Sequence, residues 1–330
     1  MSNSNTNVRW GIISTANINR RVIPAIRQSE RGKLVAVASR RKEKADAYAR
    51  EWEIPQSFGS YQALLDSGSV DAVYISLPNH LHAEWTIKAM QAGIHVLCEK
   101  PFALTLDEVD AMISAHKETG RILAEAFMYR HHPQTKLAGE MVRSGRLGEV
   151  SLVRGTFDFA FSSRDNVRLV PEWGGGCLWD VGVYPLSFAQ YILGGPPQWV
   201  MGAQWVGSTG VDETFVGQMG YPGDRFAQIS AAFRTPFYTF MEVIGTAGRL
   251  HLSKPFTGAN ESIMTFFPAD GEPETISFEE KYLYLGEIED MHNAILDGKP
   301  NYLTLDETRN HVRTVLALYE SAKRGKVFKL

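Results

Sequence analysis

Cysteine is scarce: Cys98 and Cys177 are the only two in 330 residues. Two thiols make no disulfide framework and fit a reducing compartment. No uninterrupted apolar run approaches the roughly 18 residues of a membrane span. The start, MSNSNTN, is polar and has no apolar signal core, so a frayed N-terminus and a cytoplasmic chain are expected. Blocks of one charge are lacking as well. The net charge is −3, spread along the chain, which excludes nucleic acid and membrane surfaces as expected partners. Clusters of Cys, His and carboxylate are also missing. His80 and His82 stand two apart, and His131 and His132 are adjacent, so neither pair shares a helix face and no metal is expected. Cys98 lies in an apolar run and reads as packing. No internal repeat or low-complexity tract occurs.

What is present is ordinary globular material, 44% hydrophobic and 22% charged, in a length that suggests two domains. Up to residue 127, strand and helix alternate. Short runs rich in Val, Ile and Leu occur at 8–13, 34–39, 72–77, 94–99 and 122–127, and helically spaced segments occur at 17–28, 42–52, 60–66, 80–92 and 105–119. Fully apolar strands separated by helices indicate a parallel sheet covered on both faces. Pro24 should shorten or kink the first helix. TLDE, from Thr105 to Glu108, is a capping-box start.

After about residue 130 the character changes. A helix over 133–145 leads to a strand over 149–161, a loop to 176 and a helix near 180–193. Strand-like segments follow at 198–206, 214–221, 226–234, 237–245 and 249–253, and YPGD at 221–224 suits a type II turn. Consecutive strands with tight turns imply a mostly antiparallel sheet. Helices near 285–297 and 304–323 close the chain. The expected fold is α/β: a Rossmann-type doubly wound domain at 1–127 and an α+β domain with an open sheet at 128–330.

In a doubly wound domain the first strand-to-helix turn offers backbone N–H groups to phosphate. Here that turn is GIISTANI, residues 11–18. Gly11 holds the tight-turn position of the dinucleotide fingerprint, Ile13 replaces its second glycine, and Ala16 suits its third place. Ser14, Thr15 and Asn17 could compensate through side-chain hydrogen bonds, with Ile18 opening the helix. Alone, the loop does not separate a dinucleotide site from an ordinary strand–turn–helix. The second strand adds information. It ends in Ser39, Arg40 and Arg41, with no acid before Glu43. A carboxylate at that place binds the ribose 2′-hydroxyl of NAD, whereas a hydroxyl and guanidinium groups bind a 2′-phosphate. NADP is therefore the expected cofactor.

The fourth apolar run enters HVLCEKP, residues 95–101, after SLPNHLHAEW at 76–85, and GGGCLWDVGVYP follows at 174–185. With these motifs the chain resembles the glucose–fructose oxidoreductase and inositol dehydrogenase family (Gfo/Idh/MocA), specifically the branch of dimeric dihydrodiol dehydrogenase and NADP-dependent D-xylose dehydrogenase. The resemblance spans essentially the whole chain. It implies a Rossmann domain, a substrate domain with an open sheet, and homodimers or larger homo-oligomers packed through that sheet. It implies that Lys100 is catalytic, with the bond to Pro101 cis and aiming the lysine. It also puts Leu77, Asn79, His82, Glu99 and Lys100 on the cofactor side. Arg130, after the fifth strand, either contacts the cofactor or supports the loop.

Three glycines, at 174–176, would let the backbone approach a ligand closely. Asp180 and Tyr184, four apart at a helix start, project from one face. Oxidation by hydride transfer needs a base for the hydroxyl proton. Tyr184 fills that role if a nearby Lys⁺ or helix N-terminus favours the phenolate. Lys100 is then its electrostatic partner, and Asp180 orients either substrate or Lys100. Many family members carry His where Tyr184 stands. DNVRLVPEW, at 165–173, resembles the branch's substrate loop, making Phe159 and Arg168 expected sugar contacts beside Tyr184.

The expected reaction is NADP-dependent oxidation at C1 of a cyclic sugar such as D-xylose, giving the lactone. Oxidation of a trans-dihydrodiol, or reduction of a ketosugar or dicarbonyl, would use the same groups. A nucleotide-sensing regulator without turnover would have lost Lys100, Asp180 or Tyr184, and all three are present.

Overall fold

The computed structural model describes residues 6–161, 163, 165–257, 262–278 and 282–330. Most of the tail expected to fray, residues 1–5, lies outside the described residues. The chain forms two compact units. One comprises the residues up to Met128 together with Tyr284–Arg309; the other comprises Tyr129–Leu283 and Asn310–Leu330.

In the first unit, strand and helix alternate: β1 (Val8–Ile13), α1 (Asn19–Gln28), β2 (Gly32–Ala38), α2 (Lys42–Glu51), β3 (Gln56–Phe58), α3 (Tyr61–Leu65), β4 (Ala72–Ile75), α4 (His82–Gln91), β5 (His95–Glu99), α5 (Leu106–Thr119) and β6 (Leu123–Ala126). The strands form one sheet in the order β3-β2-β1-β4-β5-β6, and every neighbouring pair is parallel. Trp10, Ile12 and Ile13 of β1 and all four residues of β4 are fully buried, which is why these strands read as unbroken apolar runs. The order reverses between β1 and β4, and their carboxyl ends define the ligand crevice of such a sheet. β3 is short and half-polar, and hydropathy did not predict it.

The capping box is present: Thr105 Oγ1 accepts from the Glu108 N–H (3.2 Å), and Glu108 Oε2 accepts from the Thr105 N–H (3.0 Å). Pro24 does not end α1. The helix runs through it to Gln28 because Val22, Ile23, Ala25 and Ile26 are all buried, and that face outweighs one missing ladder bond.

The second unit starts with α6 (Pro133–Arg143), β7 (Val150–Asp158) and α7 (Val183–Leu193). It continues with β8 (Trp199–Val206), β9 (Asp212–Tyr221), β10 (Arg225–Ala232), β11 (Tyr238–Gly245), β12 (Gly248–Ser253), β13 (Ile263–Pro268) and β14 (Glu274–Ser277). At the β9–β10 turn Gly223 takes φ +74°, as a type II turn requires. Then come α8 (Leu285–Asp297), α9 (Leu305–Arg324) and β15 (Phe328–Lys329). The nine strands run β14-β13-β12-β11-β7-β10-β9-β8-β15. Only the central pair β7–β10 is parallel; the other pairs are antiparallel. α7 packs on β7 and β10 with ten of its eleven residues buried. β13, β14 and β15, which hydropathy did not predict, lie at or next to the two edges of this sheet.

The expectation that all of 128–330 belongs to the second domain does not describe α8, which folds with the first unit. Trp10 Nε1 donates to His292 Nε2 at 2.9 Å. Arg31 reaches Glu289 at 3.2 Å, Asn293 at 2.8 Å and Asp297 at 3.0 Å. An amphipathic helix shows which of its faces is apolar, and nothing in its own sequence names the sheet that covers that face.

Candidate active site

At the β1–α1 turn of the first unit, Gly11 lies inside β1 rather than in the turn. A Cβ there would come to 3.0 Å of Val70 Cγ1, so its smallness serves packing beneath the strand. The turn itself falls at Ser14, whose φ is +125°, a region costly for a side-chain-bearing residue. Ser14 is held there from several sides. Its Oγ lies 2.8 Å from Ser76 Oγ and accepts from the Ala16 N–H at 3.1 Å, and its carbonyl accepts from Asn19 Nδ2 at 3.0 Å. Ser76 in turn donates to Asn19 Oδ1 at 2.6 Å. Serines at the ends of β1 and β4 thus tie the crevice together. The Ser14 hydroxyl is engaged inside the protein, contrary to the expected role toward phosphate. Thr15, Ala16 and Ile18 are half-buried and Asn17 is exposed.

After β2, Ser39 is buried and its N–H donates to the Phe58 carbonyl at 3.1 Å. Arg40 and Arg41 are exposed. Two exposed guanidiniums following the second strand, with no carboxylate between them and Glu43, fit a phosphate on an adenosine ribose. Leu77 is buried and Asn79 half-buried, whereas His82 is fully buried with both ring nitrogens against backbone carbonyls. The His82 ring is therefore enclosed in the protein, facing backbone on both sides.

Lys100 follows β5 and is half-buried, with a cis bond to Pro101. Glu99 accepts the Lys100 N–H on Oε2 (3.1 Å) and the Tyr74 hydroxyl on Oε1. Burial pushes the Tyr74 pKa well up, and Glu99 and Glu287 add to it. Glu287 on α8 is buried, and desolvation with Glu99 alongside raises its pKa well above the usual carboxylate value.

In the second unit, residues Leu178–Gly182 form a π turn that runs directly into α7. Asp180 therefore sits in a widened turn, a distortion frequent at functional sites, and Tyr184 in the first turn of α7, rather than both on one regular α-helix. Asp180 Oδ2 accepts from Arg168 Nε at 2.5 Å. The Arg168 guanidinium also lies 5.8 Å from the Phe159 ring centroid, so this unit brings together Phe159, Arg168 and Asp180. Tyr184 is 5% exposed and ringed by Phe157 at 5.3 Å, Phe256 at 5.3 Å and Tyr129 at 5.7 Å between centroids. Arg130 is 1% exposed, its guanidinium 4.3 Å above the Tyr191 ring, an arrangement that favours loop support over cofactor contact.

The glycine run has an internal cause. A Cβ at Gly175 would come within 2.6 Å of the Arg168 carbonyl oxygen, and one at Gly176, whose φ is +120°, within 2.0 Å of Asp212 Oδ1. Close approach by a ligand is therefore not what these two glycines answer to. Asp212, at the start of β9, is the anchor. It accepts from the Leu178 N–H (2.8 Å), Cys177 Sγ (3.1 Å) and Tyr319 Oη (2.8 Å). Burial raises its pKa, and those donors pull it back down.

The comparisons with known proteins agree with this geometry. Residues 8–127 match the oxidoreductase family with an NAD-binding Rossmann fold (GFO/IDH/MocA), and residues 135–251 match that family's C-terminal domain. A D-xylose 1-dehydrogenase (NADP⁺) of Haloferax volcanii is 38% identical over 97% of this chain and 99% of its own. This chain belongs to the GFO/IDH/MocA oxidoreductase family. Two solved structures resemble it along nearly their whole lengths. An aldose–aldose oxidoreductase from Caulobacter crescentus, complexed with glycerol, superposes with a TM-score of 0.91 at 27% identity, covering 98% of this chain and all of that one. A 3-ketoreductase from Actinomadura kijaniata, in complex with NADP and TDP-benzene, gives 0.90 at 27% identity, covering 96% and 98%.

The family assignment leaves several supporting residues that motif reading missed. Asp212 sits in no motif, and only its burial beside the glycine run reveals it. Glu125, a lone carboxylate in the apolar run at 122–127, carries no sequence signal either, nor does Glu287 on α8. Both thiols are inert: burial pushes the pKa of Cys98 and of Cys177 far up. Among the described residues no group of His, Cys, Asp and Glu suits a metal ion. No helix among them is long and apolar enough to cross a membrane.

Proposed function

We propose that this oxidoreductase transfers a hydride between NADP and a cyclic sugar, oxidising C1 of an aldose of the D-xylose type to the lactone. The observation that carries this reading is the chain-long likeness to the Haloferax D-xylose dehydrogenase. The guanidiniums of Arg40 and Arg41 support NADP over NAD. NADP⁺, when bound, would supply the acceptor for the hydride leaving carbon. Tyr184 takes the proton of the sugar hydroxyl as the new C=O forms, and Lys100, the cation of the Glu-Lys-Pro motif, is the second catalytic group. The aromatic ring around Tyr184 keeps water from the base and strengthens every charge effect there. Asp180, held by Arg168, orients the sugar, and Phe159 supplies an apolar wall. Two buried, free cysteines support a cytoplasmic location. The exposed face of the nine-stranded sheet supports assembly into homodimers.

Absorbance at 340 nm with D-xylose or D-glucose, run with NADP⁺ and with NAD⁺, tests the reading. Reduction of NADP⁺ by xylose, much faster than of NAD⁺, is the expected result. Replacing both Arg40 and Arg41 by Ala should weaken NADP⁺ at least about tenfold and leave NAD⁺ unchanged. Silence with every aldose removes the aldose reading. The likeness to the Actinomadura 3-ketoreductase favours a second reading, reduction of a ketosugar, which NADPH consumption with a keto substrate would reveal.

A further inference from the structure

Three backbone groups of the turn that carries Lys100 are held by buried side chains of the first unit. Glu99 takes the Lys100 N–H at 3.1 Å. Glu125 takes the Phe102 N–H at 3.2 Å and is itself fixed by Thr308 Oγ1 at 2.9 Å. Between them, the Pro101 carbonyl lies 2.8 Å from His82 Nδ1, while His82 Nε2 lies 2.8 Å from the Leu77 carbonyl. His82 is the first residue of α4 and has no exposed surface. One ring thus joins the loop after β4 to the residue that follows Lys100.

Carbonyl oxygens only accept, and a neutral imidazole carries one N–H, so the ring donates to one of these carbonyls at a time. Burial is the largest effect and, with the Lys100 charge, pushes the ring's pKa below its usual value against the two carbonyls and Glu125. Methyl or methylene groups of the same size would fill the space and make neither bond. The ring's placement is therefore explained by its hydrogen bonding, and not by packing alone.

We propose that His82 is a positioning residue for Lys100: its Nδ1–H fixes the Pro101 carbonyl and so the direction in which Lys100 leaves the strand. This inference rests on the reading of Lys100 as a catalytic group. A displacement of about 1 Å in a catalytic group costs up to about a hundredfold in rate.

Two amides separate the two ring positions. The Asn side-chain nitrogen falls near Nδ1 and keeps the bond to Pro101; the Gln nitrogen falls near Nε2 and keeps the bond to Leu77. Expected for H82Q is a fall in kcat of about 10- to 100-fold, with sugar KM and NADPH affinity close to wild type. For H82N, kcat recovers toward wild type. In a K100M background, H82Q should cost no more than about twofold, because it acts through the missing lysine. Melting temperatures of all variants check that each is folded, and either amide that folds carries its own arm of the test. Equal kcat losses in H82Q and H82N, or a loss that adds in full to that of K100M, overturn the proposal. If K100M itself keeps wild-type kcat, the catalytic reading of Lys100 is what fails. If K100M is crippled and H82Q is not, only the inference about His82 fails.

Discussion

His292 shows how one residue ties pH to stability. Its Nε2 accepts from the Trp10 indole, which can only donate, so that nitrogen carries a lone pair and the ring is neutral. Its Nδ1–H then faces Ser29 Oγ at 3.0 Å. Burial pushes its pKa down to about 4 from the usual 6.5. The unfolded chain binds the proton first, so stability is full above pH 6.5 and falls as pH drops toward 4, where the folded ring also protonates. The loss should reach up to about 3 kcal/mol over that window, at roughly 1.4 kcal/mol per unit. Denaturant melts from pH 7.5 to 4 would measure it. In H292N the same window should be flatter, and an unchanged slope would remove His292 as the source.

At the scale of elements, the segment from Gly174 to Tyr184 depends on β9 for its shape. Asp212 receives three donors from the glycine run, the π turn and α9. Asp212→Ala leaves buried donors without an acceptor and should cost about 2–4 kcal/mol, lowering the melting temperature and disturbing Asp180 and Tyr184 together. Asp212→Asn keeps a carbonyl oxygen and should lose less. Equal melting temperatures for Asp212→Ala and wild type would show that the turn holds itself.

The motif GGGCLWDVGVY is legible in the sequence, but its explanation is not. The glycines signal close approach without saying what approaches, and the partner, Asp212, is 35 residues from Cys177. Local regularity was easier. The apolar runs of β1, β2, β4, β5 and β6 and the capping box of α5 follow from period and from neighbours within one turn. Edge strands were not legible. β14 is four residues, ETIS, and β15 only two, so neither has enough alternation to announce itself.

At the scale of the whole molecule, the nine-stranded sheet has one face packed on α7 and another in solvent. On the open face a groove of about 560 Å³ is lined by Arg154, Met201, Val216, Gln218, Gln228 and Tyr238. Met201, Val216 and Tyr238 are all exposed. Exposed apolar side chains clustered on one sheet face are the kind of surface that can be covered by association. If this face pairs two copies, sedimentation velocity should give a dimer for the native protein, and M201D with Y238D should give monomers that stay folded. A native protein that sediments as a monomer at micromolar concentration would remove this assembly.

The sequence by itself determined the things that depend on near neighbours. These are the alternating parallel domain, the turn to a mostly antiparallel sheet, the arginines at the end of β2 and the motifs that place Lys100, Asp180 and Tyr184. Hydrophobic period and short motifs are written within a turn or a strand, and they survive without tertiary context. Only the tertiary structure decided that α8 belongs with the first unit, that Ser14 braces the β1–α1 turn, and that His82 is a clamp inside the protein. It alone identified Asp212 as the anchor of the glycine run. Each of these depends on which buried group meets which across tens to hundreds of residues. Burial turns a solvated polar side chain into one that must find a specific partner, and the chain sequence does not name that partner.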